Sequence, residues 1–325
     1  MTTKYASVHQ SPNGPSDARP TASQIIDDYD LEGELSGKTV LITGCSSGIG
    51  VETARAIYRT GATLYLTARD VDKARIALAD LVDISRVHFL QLELGSLESV
   101  RACAKSFKSK GTQLNILIEN AGVMACPEGR TQDGFETQFG TNHLGHFLLF
   151  YLLKDNLRDS STSTFNSRVI IISSCAHQAG SVHLDNLGLE GEYEPWKSYG
   201  QSKTANLWTA REIEKRFAEE GIHSWAVHPG SIATELQRHV PDELKQRWAD
   251  DNEGAKFWKS IEQGAATTVL AAVSPELEGW GGLYLEDTQV AKGPPKGTSG
   301  VADWAYDKEG PSSLWMKSLE LLKLN

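Results

Sequence analysis

The sequence predicts an α/β protein: a single-domain, doubly wound parallel sheet of about seven strands with helices on both faces. Three observations predict it. Seven short apolar runs recur along the chain, separated by helix-length segments, the alternation that produces parallel strands joined by helical crossovers. The runs are apolar throughout rather than at every second residue, as strands buried on both faces must be. No internal repeat and no linker divides the 325 residues, so one domain is expected.

Residues 1–35 come first, beginning "MTTKYASVHQSPNGPSDARP", polar and aperiodic with three prolines. They are expected to form a mobile or surface-draped arm that contributes little to the core. The domain of residues 36–325 follows. Its strands are "TVLIT" (39–43), "TLYLTA" (63–68), "VHFLQLEL" (87–94), "LNILIEN" (114–120), "RVIIIS" (168–173), "HSWAVH" (223–228) and "GGLYLE" (281–286). Two connections exceed the usual short loop, 175–196 and 231–262. Long connections at the carboxyl ends of parallel strands are where α/β proteins hold ligands, so a substrate loop is expected at about 231–265.

Composition narrows the function. With 42 acidic against 32 basic residues the net charge is −10, and no basic patch suits nucleic acid or an anionic membrane surface. The first residues lack an apolar signal region, and no apolar stretch approaches the roughly 18 residues of a membrane span. A cytoplasmic protein is expected. Cys45, Cys103, Cys126 and Cys175 show no paired spacing and read as reduced thiols. The terminal "KLN" is not a peroxisomal address. His143 and His146 sit in an apolar run without a carboxylate or thiol nearby, so no metal is expected.

The chemistry concentrates in a few stretches. "LITGCSSGIGVETAR" (41–55) runs from a strand through Gly44, Gly48 and Gly50 into a helix. Such a turn brings backbone close to a phosphate and aims helix N–H groups at it. The G-x-x-x-G-x-G spacing alone does not distinguish that cradle from a tight turn. Tyr199 and Lys203 are four residues apart and share a helix face. A cation beside a phenol favours the phenolate, by about one to three units if other charge pairs are a guide. Ser174 lies just past a strand, where its hydroxyl can hold a substrate oxygen beside Tyr199.

Several motifs in order make the chain resemble the short-chain dehydrogenases/reductases from about residue 36 to 290: "TGCSSGIG" (43–50), "NAGV" (120–123), "NHLGHF" (142–147), "SS" (173–174), "YGQSK" (199–203) and "HPGSIATEL" (228–236). Within that family it is most similar to the branch that includes retinol dehydrogenases and WW-domain oxidoreductases. The resemblance implies a Rossmann-type sheet and a nicotinamide dinucleotide cradled by Gly44, Ser46, Ser47, Gly48, Ile49 and Gly50. It implies Asn142, Ser174, Tyr199 and Lys203 as catalytic residues, Ser174 rather than Ser173, with Tyr199 and Lys203 also meeting the cofactor and Asn142 shaping a helix and a water relay. Asn120, Ala121 and Gly122 then border the ribose, and Pro229, Gly230, Ile232 and Thr234 the nicotinamide amide. Glu93 and Leu94 stand where the family often has Asp-Leu at the adenine. NAD enzymes of this type place an acid at the position of Ala68; here Arg69 follows, and a guanidinium suits the 2′-phosphate of NADP(H). Asp70 comes next and could instead pair with Arg69.

The expected function is therefore an NADP(H)-dependent oxidoreductase, a ketoreductase or alcohol dehydrogenase. It would move hydride between nicotinamide and a small-molecule carbonyl or secondary alcohol. Trp196, Trp248, Phe257 and Trp258 lie in or near the long segments and suit an apolar or aromatic substrate, although core packing explains them equally well. Two alternatives share the fold: an NADP-binding regulatory or scaffold protein, which commonly loses the tyrosine or lysine that this chain keeps, and a non-redox cyclase or isomerase. The family resemblance implies a homodimer or homotetramer joined through the Tyr199 helix.

Overall fold

Each apolar run divides between two cores according to which side of the pleat its residues occupy. In β1 (Thr39–Thr43) every residue is buried; Leu41 joins one core, while Val40 and Ile42 join the other. The same split recurs in β2 (Thr63–Ala68), β4 (Ile116–Glu119), β5 (Ser167–Ile172) and β6 (Ile222–His228). With β3 (Val87–Gln91) and β9 (Leu283–Glu286) these are the seven expected strands, all parallel, in the computed structural model. The structure describes residues 4–81, 85–111 and 113–324. The first three residues of the expected arm and the Asn325 of "KLN" lie outside them.

The sheet has eight strands, not seven, in the order β10-β9-β6-β5-β4-β1-β2-β3. The extra one, β10 (Gln289–Val290), returns antiparallel to β9 through Asp287 and Thr288, both at positive φ (49° and 53°). That left-handed pair makes a two-residue hairpin turn without the glycine or asparagine that usually marks one. A separate parallel pair, β7 (Ser231–Ile232) and β8 (Trp258–Lys259), lies within the expected substrate loop.

Eleven helices are described. On one face lie α1 (Ala22–Asp28), α2 (Ile49–Arg59) and α10 (Ile261–Val273). The other carries α4 (Leu97–Lys110), α6 (Gly145–Ser160), α7 (Pro195–Phe217) and α11 (Gly310–Leu321). Short α3 (Val71–Ala77), α5 (Thr137–Phe139), α8 (Asp242–Asp250) and α9 (Asn252–Ala255) complete the set. Strand order reverses at β1, whose neighbours are β2 and β4. A crevice therefore opens beyond the carboxyl ends of β1 and β4.

Two expectations need correction. Residues of the N-terminal arm do enter the core: Ala22, Ile25 and Ile26 of α1 are buried against α10 and α2, and Tyr5 joins the same cluster. The helix is started by a capping box in which the Thr21 hydroxyl accepts from the Gln24 N–H and the Gln24 side chain accepts from the Thr21 N–H. The helix of Tyr199, expected to meet another subunit, is instead covered by α11. Gly310 lies against Trp208, Trp315 packs against Phe217 with ring centroids 5.9 Å apart, and the Arg216 guanidinium stands over the Trp315 ring.

Candidate functional site

The turn after β1 is shaped by close backbone approach. A side chain at Gly50 would put its Cβ 2.3 Å from the Gly44 oxygen and 2.6 Å from Asn120 Nδ2, so only glycine fits. Gly44 and Gly48 hold φ of 76° and 64°, where a Cβ is strained. Gly48 caps α2 without a side-chain bond to the first-turn N–H groups, leaving a helix terminus that suits an anion. Opposite it, Asn120 donates to the carbonyl oxygens of Thr43 (2.8 Å) and Gly44 (3.2 Å). Its Oδ1 is buried and has no protein partner, an acceptor free for a ribose hydroxyl. These features fit a dinucleotide.

The loop after β4 is tied down twice. The Ala121 N–H donates to Thr43 Oγ1 at 2.9 Å, and His146 Nε2 lies 2.9 Å from the same oxygen. His146 Nδ1 is 3.0 Å from the Asn142 carbonyl, which can only accept. The proton therefore sits on Nδ1, and the Thr43 hydroxyl donates to Nε2. Burial drives His146 down to about pKa 4, so it stays neutral. Asn142 occupies the π-helical turn Gly140–Leu144 between α5 and α6. Its amide accepts from the Val123 N–H (2.8 Å) and donates to the Val123 carbonyl (2.9 Å) and to Ser202 Oγ (3.0 Å). Ser202 in turn donates to the Tyr199 carbonyl at 2.8 Å.

Helix α7 begins at Pro195, where the Glu194 carboxylate accepts from the N–H groups of Trp196 and Lys197. One turn on it presents Tyr199 and Lys203, 4% and 3% exposed. Burial raises the Tyr199 phenol above its usual value, and a hydrogen bond with Ser174 partly opposes that. Burial likewise pulls Lys203 down to about pKa 7. Its ammonium donates to the Ile172 carbonyl at 2.9 Å and stands 5.5 Å from the Tyr199 ring centroid. The expected lowering of the phenol pKa by a lysine cation is thus not met, because desolvation dominates both groups. Both serines line the cavity; Ser173 donates to the Lys203 carbonyl at 2.8 Å, and Ser174 Oγ accepts from the Ala176 N–H at 3.1 Å.

Replacing Lys203 by methionine should stabilise the coenzyme-free protein near neutral pH. A lysine whose folded pKa lies near 7 instead of 10.5 penalises folding fully below about pH 7, and the penalty fades as pH rises toward the unfolded value. The Ile172 carbonyl keeps its bond from Asn206 at 3.0 Å. Urea midpoints should therefore favour Lys203→Met at about pH 6, with the gap closing toward about pH 10. A constant gap would place the effect in packing.

One cavity of about 1150 Å³ gathers Gly44, Ser46, Ser47, Gly48, Ile49, Gly50, Arg69, Glu93, Leu94, Asn120, Ala121, Gly122, Ser174, Tyr199, Lys203, Pro229, Gly230, Ile232 and Thr234. Asn142 is the exception: it lies behind the wall, hydrogen-bonded to Val123 and Ser202. At the far end Arg69 is exposed, with its Nε 3.7 Å from Glu93 Oε2. Asp70 does not pair with Arg69, since its carboxylate caps α3 through the Lys73 N–H at 3.0 Å. Glu93 also accepts from the Gly95 N–H at 3.1 Å, so its second methylene folds it back on its own turn. Gly230, at φ 102°, lies against the Lys259 side chain.

The other end is apolar. Met124, Ala125, Tyr199 and Val240 cluster with Trp196, Leu236, Leu244 and Trp248. Successive ring pairs Tyr199–Trp196, Trp196–Trp248 and Trp248–Trp258 have centroids 6.2, 6.2 and 6.1 Å apart. Several lining residues were given no role from sequence: Met124, Lys73, Arg238, the segment 296–299, and His228 and Leu236 at the two ends of the "HPGSIATEL" motif. Met124 adjoins the "NAGV" motif, which could have flagged it; 296–299 carries no such signal. Among the described residues no group of His, Cys, Asp or Glu could hold a metal, and no helix is long and apolar enough to cross a membrane.

Comparison with known proteins agrees with this geometry. Residues 38–245 match the family model described as short chain dehydrogenase. The chain is 51% identical to the short-chain dehydrogenase/reductase prx1 of Penicillium roqueforti, covering 99% of this chain and 96% of that one. It is 39% identical to retinol dehydrogenase 12 of Mus musculus, covering 89% and 87%. Among solved structures, the Pseudomonas aeruginosa RhlG/NADP active-site complex superposes with a TM-score of 0.63 at 26% identity, covering 78% and 96%. An uncharacterized protein from Mycobacterium Paratuberculosis superposes at 0.70 with 31% identity, covering 95% and 99%.

Proposed function

Because this chain belongs to the short-chain dehydrogenase family, we propose that it is an NADP(H)-dependent oxidoreductase acting on an apolar or aromatic carbonyl or secondary alcohol. The observation that carries the reading is the meeting of Tyr199, Ser174 and Lys203 in the same cavity as the Gly44–Gly50 turn. A nicotinamide dinucleotide held by the Gly44–Gly50 turn and Asn120 would supply or accept the hydride. Ser174 holds the substrate oxygen, and Tyr199, kept protonated by burial, gives it a proton in the reducing direction. Lys203, with a pKa near 7, is suited to exchange protons at neutral pH and to donate to ribose hydroxyls. Asn142 positions the Val123 backbone and α7 and does not itself touch substrate. The apolar wall and a relative named for retinol support the substrate class. In this reading the protein is cytoplasmic, and any homodimer or homotetramer uses surfaces other than the α7 face that α11 covers.

The coenzyme is tested at Arg69. Its guanidinium lines the cavity just past β2, free of Asp70, with the hydroxyls of Ser46 and Ser47 nearby on the same wall. Arg69→Ala removes a charge-assisted bond to the 2′-phosphate, worth about 1.5–3 kcal/mol, and should weaken NADPH roughly 10- to 100-fold. NADH lacks that phosphate and should bind as before. Fluorescence titration of both coenzymes, followed by a carbonyl and alcohol panel read by nicotinamide absorbance, checks the proposal. Tighter NADH binding by the native protein, or equal weakening of both coenzymes, removes the NADP assignment.

A further inference from the structure

Residues 9–19 run alongside the irregular segment that follows α9, and the contact is polar and specific. Arg19 is 4% exposed. Its Nη1 donates to the Phe257 carbonyl at 3.0 Å, and its Nη2 reaches the carbonyls of Lys256 (3.3 Å) and Trp258 (2.6 Å) as well as Gly14 (3.0 Å). Asp17 orients the fork by accepting from Nε at 2.9 and 3.0 Å. One planar side chain thus grips three consecutive peptide carbonyls together with the Gly14 carbonyl and the Asp17 carboxylate, more acceptors than the three N–H donors of a lysine ammonium can serve.

The strap is anchored at both ends. Gln263 of α10 donates to the carbonyls of Asp17 (3.2 Å) and Arg19 (3.0 Å), and its Oε1 accepts from the Ser16 N–H at 3.0 Å. The Gly14 N–H donates to the Lys256 carbonyl at 2.9 Å. Further along, His9 meets Asp287 at 3.3 Å, and Asp287 accepts from Lys259 at 2.7 Å. The gripped segment has little apolar anchorage of its own: Phe257 is 54% exposed. Yet Phe257 and Trp258 line the cavity, and Trp258 continues the ring series that starts at Tyr199.

We infer that Arg19 is a positioning residue for substrate, the centre of an N-terminal strap that fixes Phe257 and Trp258 as one wall of the substrate pocket. The inference rests on the cavity being the substrate site. The strap ties the beginning of the chain to the specificity of a site built by its later two thirds. The coenzyme half of the cavity, formed by the Gly44–Gly50 turn and Arg69, takes no bond from Arg19.

The experiment compares full-length native protein, Arg19→Gln and Arg19→Lys by hydrogen exchange and by kinetics. Both variants should exchange faster at amides 254–259 while β1 and β4 stay protected. Both should lose about 10- to 100-fold in kcat/KM for whichever member of the carbonyl and alcohol panel the native protein turns over fastest, mainly through KM, with NADPH affinity unchanged. Full activity and protection in Arg19→Lys would show that charge beside Asp17 suffices and would overturn the three-carbonyl grip. Faster exchange throughout the sheet would mean that Arg19 merely supports the fold, which also overturns the inference. If no tested carbonyl or alcohol turns over in the native protein, the redox reading fails, while exchange at 254–259 still reports on the strap.

Discussion

Tyr199→Phe should leave a folded, coenzyme-binding protein whose turnover is lower by about 10²- to 10⁴-fold, the usual contribution of a positioned acid–base group. The ring is a packing element: it clusters with Met124, Ala125 and Val240 and meets Trp196 edge-on, and phenylalanine keeps all of that. Tyr199 lines the cavity together with Ser174, so removing its hydroxyl strands no partner in the core. Burial holds the phenol above its normal pKa, which keeps it a proton donor across the neutral range. Single-turnover and steady-state rates, with coenzyme titration and circular dichroism as controls, decide the matter. Turnover within about tenfold of native, only about 1.4 kcal/mol in barrier, would remove Tyr199 from the reaction.

Removal of residues 1–30 should sharply destabilise the protein. Ile25 and Ile26 are each 0% exposed, and burying two such side chains stabilises by roughly 3–6 kcal/mol, a large share of the roughly 5–15 kcal/mol that holds a domain folded. Truncation also uncovers the α10 and α2 surfaces beneath α1 and removes Arg19, leaving three carbonyls without its guanidinium. A point variant separates packing from the strap: Ile26→Ala should cost about 2–5 kcal/mol by cavity formation, with Arg19 still in place. Guanidinium unfolding measures both. If truncation leaves the midpoint unchanged, α1 is not part of the cooperative core.

Part of this was written in the N-terminal residues. Thr21 and Gln24 stand at capping-box spacing before Ile25 and Ile26, a start signal outweighed by the polar, proline-bearing residues around it. A seven-residue helix offers too few turns for periodicity to declare a face. The contacts that hold it come from α10, far along the chain. The β9–β10 hairpin was illegible for a different reason, since Asp287 and Thr288 adopt positive φ only under the constraint of the surrounding fold.

The sequence by itself determined the parallel sheet, the glycine turn and the Tyr199–Lys203 pair. Strand apolarity, glycine sterics and helical spacing act over a few residues and need no distant partner. Tertiary structure alone decided that α1 belongs to the core, that α11 covers α7, and that Asn142 lies behind the cavity wall. It also decided that burial, rather than their mutual charge, sets the protonation of Tyr199 and Lys203. Desolvation depends on everything packed around a group, and the Arg19–Trp258 contact joins residues 239 apart. Neither is a property of any short window of sequence.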